Sequence, residues 1–175
     1  VTKSFVHIIG ANGKNSGMWA TVTATGSNKS AFDIATAASH CEIAWLEIGG
    51  TAAGSGAGIT INATAAAPWG LHVHDCWFGV ADGAGTDGIL VPATCDAPQM
   101  CIERCRFGKL LLGTGIKISG VATRALIRGN YFMRVPLAAV INGADIGVFD
   151  NYISMSSDAA GKGLDFGASA SACYI

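Results

Sequence analysis

The sequence has few charged residues and no excess of either sign. Only 13% of its 175 residues are charged and the formal net charge is −1, whereas about a quarter of a typical soluble domain is charged. Nucleic-acid binding needs a strongly basic surface, and disorder needs low hydrophobicity with high net charge. Because half of the residues are hydrophobic, we expect one folded domain that binds no nucleic acid.

Long apolar runs are also missing. No stretch of 18 apolar residues exists, and Val1–Phe5 lacks the charged start and apolar block of a signal peptide. We therefore expect no membrane insertion. The sequence has no initiator methionine, and it starts and stops within short strand patterns. We therefore expect that it is part of a longer protein rather than a chain whose start was removed by processing.

An internal repeat is the main feature that the sequence does contain. Four segments align without gaps at spacings of 21 to 29 residues: Asp75–Phe78, Arg104–Phe107, Gly129–Phe132 and Asp150–Ile153. Upstream of each segment lies a short alternating run, and these runs form a first series: Leu71–Val73, Met100–Ile102, Ala125–Ile127 and Ile146–Val148. A second series of short alternating runs is interleaved with them: Phe32–Ile34, Gly58–Asn62, Gly88–Val91, Gly115–Ser119, Ala138–Asn142 and Gly163–Phe166. Period-2 runs bounded by strand breakers are typical of strands, so the chain is predicted to repeat a unit of two strands.

Such a unit cannot bury its own apolar face, but units stacked along one axis bury each other's. Each coil would then lie one strand spacing, ~4.8 Å, above the last. Equivalent residues would form two inward columns, one of Ile59, Ile89, Ile116, Ala139 and Leu164 and one of Val73, Ile102, Ile127 and Val148. We expect an opening coil in residues 1–29 and a stack of about five or six coils in residues 30–175.

One turn position of the repeat holds Cys76, Cys105, Asn130 and Asn151. An inward asparagine there can bond the asparagine one coil away and the turn backbone, and cysteine is a small buried substitute. In this ladder the chain resembles the pectate-lyase-like β-helix proteins, in which stacked turn asparagines are common. The resemblance implies an all-β, right-handed, single-stranded parallel β-helix (solenoid), a fold that serves lyases, hydrolases and phage structural proteins alike.

The opening stretch, residues 5–13, is similar to the first coils of β-helix proteins from bacteriophage virions. That resemblance implies a virion protein, commonly a threefold oligomer.

The six cysteines include no CxxC pair and show no zinc-site spacing. The chain is too long and too apolar to need a disulfide scaffold. Cys76 and Cys105 lie one coil apart and are expected as stacked thiols, although their separation also permits a disulfide. A disulfide between Cys95 and Cys101, which would close a small loop, is a second alternative.

The outward positions of the second series contain no pair of neighbouring carboxylates. They read Asp33, Thr60, Leu90, Lys117, Val140 and Asp165. Glycosidases act with two carboxyl groups ~5 Å or ~6.5–9.5 Å apart, whereas Asp33 and Asp165 would lie about 24 Å apart at the strand spacing. We therefore expect no catalytic residues and no enzyme activity, with a polysaccharide lyase or glycosidase as the less favoured alternative.

A polar cluster lies in the first series. His72 and His74 face outward on one strand, and Cys101 and Glu103 occupy the matching places on the next coil. These four are candidate zinc ligands. Outward histidines are more often solvated or at a subunit contact, and Glu103 can pair with Arg128 across coils. We therefore predict no metal and no other cofactor, and interpret the cluster as a contact surface or a solvated face.

Aromatic residues form a second candidate surface. Trp77, Arg106, Tyr131 and Tyr152 share an outward column, and Trp69 is a further candidate for a stripe that stacks on sugar rings. Tyrosine and tryptophan are also enriched at interfaces, so we favour a subunit contact over glycan binding.

Apolar residues on the outer faces also indicate contacts, among them Leu90, Leu126, Val140 and Phe149. With the resemblance, they favour a non-enzymatic structural protein of a bacteriophage virion: a capsid decoration protein, head fibre or tail component on the particle surface. Its partners would be itself, as a homotrimer, and other virion proteins. The alternatives are a β-helix that binds or cleaves carbohydrate, such as a tailspike on a host surface glycan, and a bacterial adhesin.

Overall fold

The structure is a computed structural model that describes residues 1–11, 20–24, 29–35, 38–49, 56–62, 69–79, 87–108, 113–120, 124–154 and 162–175. Every regular element in these ranges is a β-strand, and the strands are two to six residues long. The described ranges contain no helix that is long and apolar enough to cross a membrane.

The strands form three sheets of six strands each. Sheet A contains β1 (His7–Ile9), β4 (Glu42–Ala44), β7 (His72–His74), β10 (Cys101–Glu103), β13 (Leu126–Arg128) and β16 (Gly147–Phe149). Sheet B contains β2 (Ala20–Thr23), β5 (Leu46–Gly49), β8 (Trp77–Phe78), β11 (Arg106–Phe107), β14 (Tyr131–Met133) and β17 (Tyr152–Ser154). Sheet C contains β3 (Phe32–Ala35), β6 (Ala57–Asn62), β9 (Asp87–Val91), β12 (Thr114–Ile118), β15 (Leu137–Ile141) and β18 (Lys162–Phe166).

Neighbours within a sheet are always three strands apart along the chain, and every pair is parallel. The chain therefore passes through sheets A, B and C in turn, and each such coil stacks on the one before it. This confirms the predicted all-β parallel solenoid. Residues 1–29 contribute β1 and β2, which pair with β4 and β5 in the same sheets.

The predicted two-strand unit is wrong, because each coil has three strands. The strand that the sequence did not predict is the sheet B strand, which begins inside the four aligned segments, directly after their turn position. Two of these strands, β8 and β11, have only two residues. A strand of that length shows no alternation, so periodicity could not separate it from the turn before it.

The predicted inward columns are confirmed by the strand register. Ile59, Ile89, Ile116, Ala139 and Leu164 pair in succession across sheet C. Val73, Ile102, Ile127 and Val148 do so across sheet A. Most of these side chains are fully buried. The core therefore consists of columns in which similar apolar residues of successive coils lie over one another.

A single residue in the left-handed region turns the chain from sheet A to sheet B. It is Trp45, Asp75, Arg104, Gly129 or Asp150 in successive coils, with φ between 50° and 61°. Only one of the five is glycine, although a left-handed conformation is unfavourable for any residue with a Cβ. The corner N–H of Asp75 donates to Glu103 O at 3.2 Å, and that of Arg104 donates to Arg128 O at 3.2 Å. Hydrogen bonding between coils therefore continues through the corner.

The residues that share the turn position, Cys76, Cys105, Asn130 and Asn151, lie directly after this corner, and we call them the turn ladder. Asn130 Nδ2 donates to Ile102 O at 3.0 Å, and Asn151 Nδ2 donates to Ile127 O at 2.9 Å. Cys105 makes the equivalent weak bond from its thiol to Val73 O at 3.7 Å. The ladder therefore has a constant role, which is to satisfy a carbonyl of the preceding coil.

Candidate functional site

Two surfaces contain the polar and aromatic side chains singled out in the sequence. The first is the outer face of sheet A with the adjoining corner, and we call its residues the histidine–carboxylate cluster: His7, Glu42, His72, His74, Asp75, Cys101, Glu103, Arg104 and Arg128. The second is a groove on the outer face of sheet B, which we call the aromatic–arginine groove.

The register of sheet A brings the predicted cluster together. Cys101 pairs with His72, and Glu103 pairs with His74 on one side and Arg128 on the other. His74 is only 8% exposed and Glu103 only 5%. These two side chains are therefore not part of a solvated face.

Glu103 has hydrogen-bond partners on three basic residues, whereas Asp75 and Glu42 each have them on two. Arg128 Nε donates to its Oε2 at 2.7 Å, and Arg104 Nη1 donates to its Oε1 at 2.5 Å. His72 Nε2 lies 3.1 Å from the same Oε1. Burial by itself would raise the pKa of Glu103, but the bonds from Arg128, Arg104 and His72 outweigh it and lower the pKa to about 2.

His74 lies between two carboxylates. Its Nδ1 is 2.8 Å from Asp75 Oδ2, and its Nε2 is 2.7 Å from Glu42 Oε1. Asp75 is held in turn by Arg104, whose Nη2 donates to Oδ2 at 2.9 Å. Burial raises the pKa of Asp75, but the hydrogen bonds from Arg104 and His74 produce a net lowering.

Glu42 accepts hydrogen bonds at both of its oxygens. While Oε1 faces His74, Oε2 lies 2.6 Å from Nδ1 of His7. The bonds from His74 and His7 lower the pKa of Glu42. Two overlapping sets of side chains thereby bring potential metal-ligating atoms within 4.8 Å of one another: Glu42 with His72 and His74, and His72 with Cys101 and Glu103.

The sequence interpretation missed Glu42, Asp75 and Arg104. A signal for Glu42 was present, because Glu42–Ala44 aligns with His72–His74 and places Glu42 beside His72. Asp75 and Arg104 occupy the corner that looked like a plain turn. Their left-handed backbone directs the side chains of this corner toward sheet A, where they reach His74 and Glu103.

The six cysteines are free thiols. The possible Cys95–Cys101 disulfide is therefore not formed, and Cys76 and Cys105 are the stacked thiols that the repeat predicts. Burial, followed by the neighbouring Cys76, raises the pKa of Cys105. Burial and Glu103 raise the pKa of Cys101, so neither group is prepared as a thiolate nucleophile.

The aromatic–arginine groove has a volume of about 580 Å³ and is lined by Trp77, Arg104, Cys105, Arg106, Phe107, Gly129, Tyr131 and Met133. Trp77, Arg106, Tyr131 and Tyr152 pair in succession across sheet B, as predicted. The rings of Tyr131 and Tyr152 stack with centroids 4.7 Å apart. Trp69 does not belong to this column, because it lies in the turn before β7.

The outward column of sheet C is also as predicted. Asp33, Thr60, Leu90, Lys117, Val140 and Asp165 pair in that order. The two aspartates are therefore at opposite edges of a six-stranded sheet. At the strand spacing they lie about 24 Å apart, too far for one reaction.

Comparison of the chain with models of protein families, with curated proteins and with solved structures found no match.

Proposed function

We propose that this chain is a non-enzymatic structural protein of a bacteriophage virion: a capsid decoration protein, head fibre or tail component that forms a homotrimer on the particle surface. The observation that carries the proposal is the exposed aromatic and arginine column on one side of a continuously hydrogen-bonded solenoid. Such a solenoid is a stiff support, because each coil bonds the next through all three sheets.

The composition of this column favours a contact between protein subunits. Interface cores are enriched in aromatic residues, methionine and arginine and depleted in lysine and glutamate. The outer face of sheet B presents Arg106, Tyr131, Met133 and Tyr152 as exposed side chains, with Tyr152 58% exposed. Three such faces turned toward one axis would bury these rings from water.

The arrangement of the carboxylates supports a role without catalysis. In the described part of sheet C, the outward acids are at opposite edges of the sheet. In the histidine–carboxylate cluster, Glu103 and Asp75 accept hydrogen bonds from arginine. The pKa values of Glu42, Asp75 and Glu103 are all lowered, so none of these carboxyl groups is held protonated as the general acid that glycoside cleavage needs.

Sedimentation equilibrium of the purified chain tests the assembly. We expect a trimer at micromolar concentration, converted to a monomer by Tyr131→Asp combined with Tyr152→Asp. Tyr174→Asp is the matched control, because Tyr174 is also 58% exposed but lies outside sheet B. A monomeric wild-type chain, or a trimer that the double variant leaves intact, contradicts the proposed interface.

Protein mass spectrometry of purified particles from the source tests the location. We expect the chain in many copies per particle, at a constant ratio to the major shell or tail protein. Its absence from particles that are otherwise complete contradicts a virion role.

The aromatic–arginine groove supports carbohydrate binding as a second candidate function. Flat rings stack on sugars, and the exposed Arg106 at the groove would favour an acidic glycan. Calorimetric titration with acidic polysaccharides tests this, with Trp77→Ala expected to abolish binding. Trp69→Ala is the matched control, since Trp69 lies outside the groove. Release of new reducing ends during the titration would instead reveal a cleaving enzyme.

A further inference from the structure

We propose that Glu42, His72 and His74 bind one divalent transition-metal cation, preferentially zinc, with a fourth position open to solvent. The three residues belong to neighbouring strands of sheet A. Glu42 in β4 pairs with His72 in β7, and His74 follows two residues later on the same side of that strand.

The potential ligand atoms are already close to the spacing that zinc needs. They all lie within 4.8 Å of one another, and the two imidazole rings have centroids 4.3 Å apart. In a tetrahedral site with zinc–nitrogen distances near 2.0 Å, ligand atoms are about 3.4 Å apart. Glu42 Oε1 and His74 Nε2 are 2.7 Å apart, so a cation between them requires only small side-chain rotations.

The surroundings of His74 are those of a metal-binding histidine. Such a histidine usually donates its second N–H to a carboxylate, which fixes the ring and its tautomer. Asp75 Oδ2 takes this role at 2.8 Å from Nδ1, and Arg104 holds Asp75 in place. The Nε2 atom faces Glu42 Oε1, so a cation at this nitrogen replaces a proton between the same two groups.

Glu42 is oriented in the same way. Its Oε2 is bonded to His7 Nδ1 at 2.6 Å, which leaves Oε1 directed at His74. His72 and Glu42 have side chains 37% and 26% exposed, whereas that of His74 is 10% exposed. The site is therefore anchored at one buried ligand and accessible to a cation from solvent at the other two.

The second set, His72 with Cys101 and Glu103, is less suited to the cation. Both oxygens of Glu103 already accept hydrogen bonds from arginine. A metal there would have to displace Arg104 or Arg128 from a buried carboxylate. Cys101 would also have to ionise beside the negative charge of Glu103.

Metal titration of the untagged, chelator-treated chain tests this inference. We expect one zinc ion per chain by isothermal calorimetry and by elemental analysis after dialysis. Cobalt(II) should give the visible absorption of a tetrahedral site. Glu42→Gln and His72→Ala should each weaken zinc binding at least tenfold, and Asp75→Asn should weaken it 10- to 100-fold as the loss of an orienting carboxylate.

His40→Ala is the matched control, because His40 stacks on Phe5 outside the cluster. The far-ultraviolet circular dichroism of each metal-free variant shows whether it has folded. Less than a tenth of an equivalent of zinc bound to folded wild-type chain at 0.1 mM free metal overturns the inference. Binding that survives Glu42→Gln but is lost in Cys101→Ser places the ion in the second set and also overturns it. Neither of these two results affects the separate proposal that the chain forms a homotrimer.

Discussion

Gly115 in β12 lies directly against the ring of Phe132 in β14. A Cβ on Gly115 would come within 2.7 Å of Phe132 Cε1 and within 2.7 Å of the carbonyl oxygen of Ala138. Gly58 and Gly88 have the same relation to Phe78 and Phe107. The glycine column of sheet C therefore makes room for the phenylalanine column of sheet B, whose rings stack with centroids 4.8 to 4.9 Å apart.

Gly115→Ala is expected to destabilise the fold by about 2–3 kcal/mol, since the added methyl group meets a ring and a backbone atom that cannot both move away. Gly129→Ala is the comparison. There the added Cβ would meet only Arg104 Cγ at 3.9 Å, and the strain comes from a φ of 61°. We expect a loss of about 1 kcal/mol for that variant, which is the cost of a left-handed conformation for a residue with a Cβ. Urea unfolding measures both, and equal losses would contradict the close packing of Gly115.

Asn130→Ala is expected to destabilise the fold by about 2–3 kcal/mol, because it leaves buried partners unsatisfied. Asn130 is 1% exposed, accepts from Cys105 N at 2.9 Å and donates to Ile102 O. Asn151→Ala, at a half-buried position of the same ladder, should be milder. Thermal unfolding of the two variants checks the order, and a larger loss at Asn151 would argue against the ladder as described.

The stability of the metal-free chain should fall in acid because of Glu103. Its pKa is lowered from 4.5 to about 2 in the folded state. A lowered pKa gives stability that is present above about pH 4.5 and is lost as the pH falls toward about 2. Glu103→Gln should be less stable than wild type at pH 7 by about 2 kcal/mol and should show a flatter pH curve between these values.

Urea unfolding across this pH range with a chelator present measures the effect. Glu47→Gln is the control, since Glu47 lies on sheet B outside the histidine–carboxylate cluster. Parallel curves for wild type and Glu103→Gln would show that the ion pairs of Glu103 do not stabilise the fold.

Cys76 and Cys105 should resist alkylation in the folded chain. Both are buried free thiols, and the pKa of Cys105 is raised by burial, so the reactive thiolate is scarce. Cys173, which is half-buried, should react first. Mass spectrometry after iodoacetamide treatment should find six labels per chain in urea without reductant. Two missing labels under those conditions would reveal a disulfide.

Periodicity was enough to predict the stacked columns, because Ile89 over Ile116 and Val73 over Ile102 need only the alternation of a strand and a repeat of similar length. The third sheet was not predictable in this way, because a pair such as Trp77–Phe78 is too short for any period. Only part of the histidine–carboxylate cluster could be predicted from the sequence, and the reason is different. His72 and Glu103 lie in recognisable strands, whereas Asp75 and Arg104 act through a left-handed corner that their residue types do not signal.

A crystal structure of the purified chain is the decisive test of the stacked register. We expect three parallel sheets in which the Cα atoms of Ile89 and Ile116 are one strand spacing apart, about 4.8 Å. It also predicts Asp33 and Asp165 at opposite edges of one sheet. Ile89 and Ile116 in strands that are not neighbours would contradict the stacked register, and with it the assignment of both surfaces.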